Sequence, residues 1–246
     1  AYSRGLESAG AGMKPRIEVV AIDCLMLRLF DEIAETNMPW MLALSERLRA
    51  SFAGYLIDLV PSYTTMMVHY DGLALSPAQA RELIALALTD LRPETQNLGQ
   101  CHVLPVWYDL SVGPELTLLA QRASCPVSEV IRRHSDHEYQ VFALGFAPGF
   151  AFMGLVEEAL AAPRLATPRK RVASGSVGIA ERQTAAYPAQ SPGGWNLVGR
   201  TPSALFDRER DGYSLMQPGD TVRFEPVSRA EFIRLGGDDT PQEALA

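Results

Sequence analysis

Beyond His137 the helical period disappears from this chain, and what replaces it is an apolar run punctuated by Gly and Pro corners. Between Tyr139 and Pro202 that run breaks twice into Pro-Gly, at Pro148-Gly149 and Pro192-Gly193. The dipeptide suits a type II turn, since Pro sets φ at the second turn position and Gly accepts positive φ at the third. Two tight turns are therefore predicted. Short strands between such corners favour a closed or nearly closed β-barrel. Gly at a corner also lets another molecule approach the backbone, whose N–H groups can then face an anionic oxygen. Two readings fit: ordinary barrel corners with core aromatics, or a pocket rim of main-chain donors walled by Phe146, Phe150, Phe152 and Trp195.

The first half of the chain is organised differently. Residues 17–30 predict two short strands or one bent strand around Asp23. Thr36 or Asn37 can cap a helix with Pro39 in its first turn, ending near Phe52 before Gly54. Strands follow over 55–60 and 64–70, and Ser76-Pro77 opens a second helix with an apolar face of Leu83, Ile84, Ala87 and Leu88. These elements predict a compact α+β N-terminal domain over residues 16–95, with a linker at 92–97 and a second domain over 96–246. Residues 1–15 are small and polar and are expected to be a disordered or added extension. In the second domain a strand is predicted from Cys101 to Trp107, short helices over 115–123 and 128–134, and strands over 172–179, 196–199 and 221–224, the last after a Pro218-Gly219 turn.

A chain of 246 residues with 47% hydrophobic content can bury one or two cores. Its formal net charge of -7, with no block of like charges, argues against nucleic-acid and anionic membrane surfaces. No apolar run is long enough to span a bilayer and no signal peptide is visible, so the expected location is cytoplasmic. Cys24, Cys101 and Cys125 cannot all pair within the chain, which agrees with reduced thiols.

His134 and His137 have no further ligands to complete a metal site and read as an exposed helix end; no metal is expected. No serine lies in a Gly-x-Ser-x-Gly elbow, and there is no Walker motif. In Arg169-Lys170-Arg171, strand alternation puts the two arginines on one face. They read either as a solvated edge or as a clamp for a carboxylate or phosphate. Arg200 suits that clamp better, its alternative being a structural pair with an acid such as Asp207. Gln183 and Tyr187 can orient an amide or a lactam, or serve as barrel hydrogen bonds. Ser176 carries the same two readings.

The segments 144–150, 168–172, 175–177, Gln183-Thr184, Tyr187-Pro188, 191–195 and 199–202 together resemble the family that includes the 5-oxoprolinase B subunit, allophanate hydrolase subunit 1 and KipI. The resemblance extends loosely from about residue 17 to 226. It implies a small α/β N-terminal domain followed by a cyclophilin-like β-barrel. It also implies an ATP-dependent 5-oxoprolinase, a lactam hydrolase inactive as a lone polypeptide, working with a C subunit that resembles KipA or allophanate hydrolase subunit 2 and with an A subunit. ATP with Mg is then the cofactor of the assembled complex. ATP use makes chemical sense, because an unstrained lactam carbonyl is a poor electrophile until its oxygen is phosphorylated.

Catalytic candidates under this reading are Gln183, Tyr187 and Arg200. Substrate-binding candidates are Phe146, Pro148, Gly149, Phe150, Ser176, Ser191, Pro192, Gly193, Gly194 and Trp195. His134 falls where the family often has a His before a Tyr-x-Val strand. Two alternatives accompany the main reading. One is a component of an allophanate or urea-type amide hydrolase or carboxyltransferase, with biotin supplied by a partner because neither Lys14 nor Lys170 lies in a biotinyl motif. The other is a KipI-like inhibitor that binds a histidine kinase. This chain departs from the family wording at Ala180-Glu181-Arg182 and Gln183-Thr184-Ala185, where relatives often carry Gly; there Ala is expected to close positive φ and narrow the approach to the backbone.

Overall fold

The structure is a computed structural model that describes residue 13 and residues 15–95 and 99–243. Nearly all of the expected extension over 1–15 and the end of the expected linker lie outside the described residues. The chain divides into two compact units, residues 1–98 and 99–246.

In the first unit a hairpin of β1 (Arg16–Ala21) and β2 (Cys24–Arg28) precedes α1 (Met38–Phe52), β3 (Leu56–Pro61), β4 (Thr65–Tyr70) and α2 (Pro77–Leu88). The four strands form an antiparallel sheet in the order β1-β2-β4-β3. Period-two alternation buries Leu25 and Leu27 of β2 and Met66, Val68 and Tyr70 of β4. On α1, Met41, Leu44, Leu48 and Phe52 recur at helical spacing and are fully buried. Ser76 and Gln79 complete a reciprocal capping box at the start of α2. Asn37 stands at the predicted cap of α1 but makes no cap bond; its Nδ2 donates instead to the Glu32 carbonyl at 2.8 Å.

The second unit contains β5 (Cys101–Val106), α3 (Leu116–Arg122), α4 (Val127–Ser135), β6 (Glu138–Leu144), β7 (Ala151–Gly154), β8 (Arg169–Val172), β9 (Ser176–Ala180), β10 (Gln183–Ala186), β11 (Ser191–Gly193), β12 (Asn196–Arg200), β13 (Thr221–Pro226) and α5 (Arg229–Arg234). Seven strands make one sheet in the order β12-β9-β10-β7-β6-β13-β5, with β13 and β5 parallel. Its two edges meet. Trp107, directly after β5, exchanges backbone hydrogen bonds of 2.9 and 3.0 Å with Arg200 at the end of β12. That bridge closes the expected barrel. The interior holds Val141, Met153, Val177, Ile179, Ala186, Val198, Val222 and Phe224.

Three predictions need correction. The strand expected over 172–179 is two strands, because Gly175 turns the chain at φ +79° where a Cβ would lie 2.2 Å from the Thr201 carbonyl oxygen. Pro192-Gly193 is not a turn: it lies in β11, which pairs antiparallel with β8 in a separate two-stranded ribbon. The region beyond His137, expected to hold only strand and turn, also contains helix α5, capped by Ser228 through Glu231 N–H and placed after the last barrel strand.

Candidate functional site

Alternation along the barrel strands separates two faces. Thr184 and Ala186 of β10 face inward, and Gln183, Ala185 and Tyr187 face outward. On the outer face Ala180, Ala185, Tyr187, Leu197 and Trp195 join Phe150 and Val172 in a second apolar cluster. Small residues make this possible. A Cβ on Gly178 would lie 3.1 Å from Trp195 Cβ, so the indole rests against a bare stretch of backbone.

Phe150 is the hub of the cluster. Its ring centroid lies 5.2 Å from Phe146, 4.9 Å from Phe152, 5.3 Å from Tyr187 and 5.7 Å from Trp195, all at steep interplanar angles. Edge-to-face contacts of this kind follow the quadrupole of the ring and add to the area they bury. The loop that carries Phe146 and Phe150 is internally bonded, with Gly145 N–H on the Phe150 carbonyl, Ala147 N–H on Gly145 and Phe150 N–H on Ala147. Pro148-Gly149 is the predicted turn, with Gly149 at φ +83°. Those three N–H groups are thus used within the loop and do not contribute to a rim of donors.

Phe146 breaks the local rule. It is an aromatic residue at φ +66°, and 65% of it is exposed. Left-handed backbone at a bulky residue costs on the order of 1–3 kcal/mol, and such strain gathers at binding sites.

Tyr187 is buried, and burial pushes its phenol up to about 12, with the Trp195 main-chain N–H and the nearby Arg164 and Arg169 acting in the opposite direction. The group is a neutral hydroxyl at neutral pH. Gly193 is required beside it, since a Cβ there would fall 2.2 Å from the Tyr187 oxygen. Gly194 accepts from Leu165 N–H at 2.7 Å, and Arg164 lies over the Trp195 ring at 5.9 Å. Ser176 neighbours Tyr187 through a 2.9 Å backbone bond; among the described residues its Oγ and that of Ser191 are buried without a partner.

The two arginines expected to compete for an anion are placed differently. Arg200 is 1% exposed, and its Nη1 donates to the carbonyls of Asp238 and Thr240 at 2.6 and 2.7 Å. It holds the C-terminal segment, not Asp207. Arg169 is buried opposite Gly193 and donates from Nη2 to Glu115 Oε1 at 2.6 Å, while Glu115 Oε2 accepts from Leu197 N–H. Lys170 and Arg171 are exposed, so the two arginines of this run do not share an environment. Gln183, half-buried, faces outward with Tyr187, but four residue steps of about 3.3 Å put it roughly 13 Å away along the strand.

His134 is a further correction. It is fully buried inside the barrel, where Nδ1 meets the Tyr108 hydroxyl at 2.8 Å, Nε2 meets Thr184 Oγ1 at 2.9 Å and the ring stacks on Phe224 at 4.7 Å. Desolvation lowers its pKa to about 3. Its position in the last turn of α4 is as read, but that turn packs on the barrel interior, which a helix-end argument does not reveal. Sequence reasoning also missed Glu115 and Arg164. Neither belongs to a motif, and each matters only through what the fold places beside it.

At the sequence level, residues 15–216 match the family model of the carboxyltransferase domain, subdomain C and D. The chain is 32% identical over 228 residues to the 5-oxoprolinase B subunit of Bacillus subtilis, covering 88% of this chain and 95% of that protein. Among solved structures it resembles TTHA0988 with 36% identity and a TM-score of 0.73 over 83% of this chain, which spans 40% of that one. The urea amidolyase of Kluyveromyces lactis gives a TM-score of 0.75 at 16% identity over 96% of this chain and 16% of that chain, a likeness of fold. Coverage of nearly the whole Bacillus protein, together with the family match, places the chain in the carboxyltransferase subdomain C and D family, alongside the 5-oxoprolinase B subunit.

Proposed function

We propose that this chain is the B subunit of an ATP-dependent 5-oxoprolinase, which opens the lactam of 5-oxoproline to glutamate and is inactive without its partner polypeptides. The observation that carries the reading is the 32% identity that runs across 95% of the Bacillus 5-oxoprolinase B subunit. The outer-face site is chemically suited to it. A lactam is a flat, neutral amide with a hydrocarbon edge, and the exposed ring of Phe146, backed by the buried rings of Phe150 and Trp195, offers that edge an apolar surface. Tyr187, protonated at neutral pH, can donate to an amide oxygen. Pro148, Gly149, Ser176, Ser191 and Pro192 to Gly194 are proposed as further substrate-binding residues, Gly193 through its close approach to the Tyr187 hydroxyl.

Among the described residues no three His, Cys, Asp or Glu side chains gather to hold a metal ion, and the sequence has no phosphate-binding loop. ATP with Mg is the cofactor we propose for the assembled complex, bound either at an unconventional site or on a partner polypeptide. The location proposed for the complex is the cytoplasm, in keeping with three unbridged cysteines.

The test is to co-express the chain with its candidate A and C partners and to follow 5-oxoproline-dependent ADP and glutamate release while omitting one chain at a time. Turnover that disappears without this chain is expected. A stable complex that turns over another amide but not 5-oxoproline would overturn the assignment.

A further inference from the structure

Two guanidinium groups act on the Tyr187 phenol, and they differ in kind. Arg164 is exposed and lies over the outer surface of Trp195, 5.9 Å from the ring centroid. Arg169 has a side chain only 3% exposed and sits opposite Gly193, the residue whose missing Cβ makes room for the Tyr187 hydroxyl. Both lie near enough to Tyr187 to stabilise negative charge there, against the effect of burial.

Burying a guanidinium costs several kcal/mol unless its donors are used. Glu115 satisfies only one of them. Its other oxygen is committed to Leu197 N–H, so it cannot turn to take more. Among the described residues Arg169 Nε and Nη1 find no acceptor. A buried cation with two unused donors, beside a neutral hydroxyl and under an aromatic wall, is arranged to receive an anionic oxygen. The chain's net charge of -7 repels anions in general, so a small acid must be recognised by local cations of this sort.

We propose that Arg164 and Arg169 form a carboxylate clamp, which holds a small carboxylic acid with its carboxylate between the two guanidiniums and its hydrocarbon against Trp195 and Phe146. In the assembled enzyme the clamp selects the carboxylate of the lactam substrate, a step that rests on the 5-oxoprolinase reading. Arg164 closes the site from solvent, and Arg169, held by Glu115, sets the position of the charge.

The complex, intact and with Arg164→Ala or Arg169→Lys, is titrated with 5-oxoproline and with its uncharged analogue 2-pyrrolidinone. Tryptophan fluorescence reports binding, and 5-oxoproline-dependent ADP release is measured in parallel. The intact complex is expected to bind 5-oxoproline saturably and 2-pyrrolidinone at least tenfold more weakly. Each variant should weaken 5-oxoproline binding and raise KM by roughly 10- to 100-fold, the range for a lost hydrogen bond to a charged group, with kcat little changed. Lys170→Ala, an exposed cation on the same strand, should change neither.

Arg164→Ala removes a surface side chain and keeps the test decisive if Arg169→Lys fails to fold. Unchanged affinity in Arg164→Ala, equal affinity for the two lactams, or no binding of 5-oxoproline by the intact complex overturns the clamp. Binding that is lost in the variants while the intact complex shows no turnover supports the clamp and overturns the enzymatic assignment instead.

Discussion

His134 shows how far one side chain's behaviour depends on where its helix ends. Packed between Tyr108, Thr184 and Phe224, the imidazole is held neutral, with its pKa lowered to about 3 from 6.5. Below pH 6.5 the unfolded chain therefore binds a proton that the native chain refuses. The stability contributed is complete above that pH and is lost as pH falls toward 3. At pH 5 the loss is about 2 kcal/mol from this residue alone. Urea unfolding of the barrel unit between pH 7 and 5 should show it, and His134→Leu should flatten the dependence while lowering stability at pH 7. An equal slope in that variant would mean that other groups dominate the titration. The same burial makes His134 unsuited to proton transfer at neutral pH, so we assign it to the barrel core rather than to catalysis.

The β8–β11 ribbon carries most of what distinguishes the site, and a glycine governs it. At Gly193 the close approach of the Tyr187 hydroxyl, and not a turn, is what demands Gly. Gly193→Ala should force the ribbon off Tyr187 and cost about 2 kcal/mol or more, as overpacking does. Calorimetry should then show a midpoint lower by several degrees, about 2–4 °C per kcal/mol for a unit of this size. Gly54→Ala, where a Cβ meets nothing within 4 Å, is the matching substitution with little expected effect. Equal midpoints for the two variants would show that the ribbon yields easily. The β9–β10 hairpin teaches a related lesson: Ala180 keeps ordinary strand geometry, and Glu181, at φ +52°, takes the positive φ that a Gly would adopt without strain.

Closure of the barrel and attachment of the C-terminus meet at one residue. Arg200 bonds through its backbone to Trp107 and through its side chain to the carbonyls of Asp238 and Thr240. Beyond these, Gln242 joins the tail to Ser111, Arg171 and Ala173. Arg200→Met keeps the backbone bridge and removes both side-chain bonds, which at about 1.5–3 kcal/mol each for a charged donor amounts to roughly 3–6 kcal/mol. Hydrogen exchange at residues 238–242 should accelerate in this variant while the barrel strands remain protected. If Arg200 held substrate instead, the variant would lose affinity for 5-oxoproline and leave exchange in the tail unchanged.

Much of the architecture is legible in the residues themselves, because periodicity and capping are local. The strands over 17–30 and 64–70, the helix ending near Phe52, the Ser76-Pro77 start and the Pro148-Gly149 turn each depend on neighbours within a few positions, and each forms as expected. The aromatic residues from the two Pro-Gly segments also meet, since apolar rings separated in sequence share a need to leave water. What no local pattern contains is the pairing of charges across the fold. Arg169 and Arg200 both read in sequence as candidate anion clamps, Arg200 the better placed of the two. Only the tertiary structure sends one to the C-terminal carbonyls and sets the other beside Tyr187, with a single nitrogen bonded to a glutamate 54 residues away. Long-range electrostatic partners are chosen by how the sheet closes and which edge the ribbon covers, and closure is a property of the whole barrel.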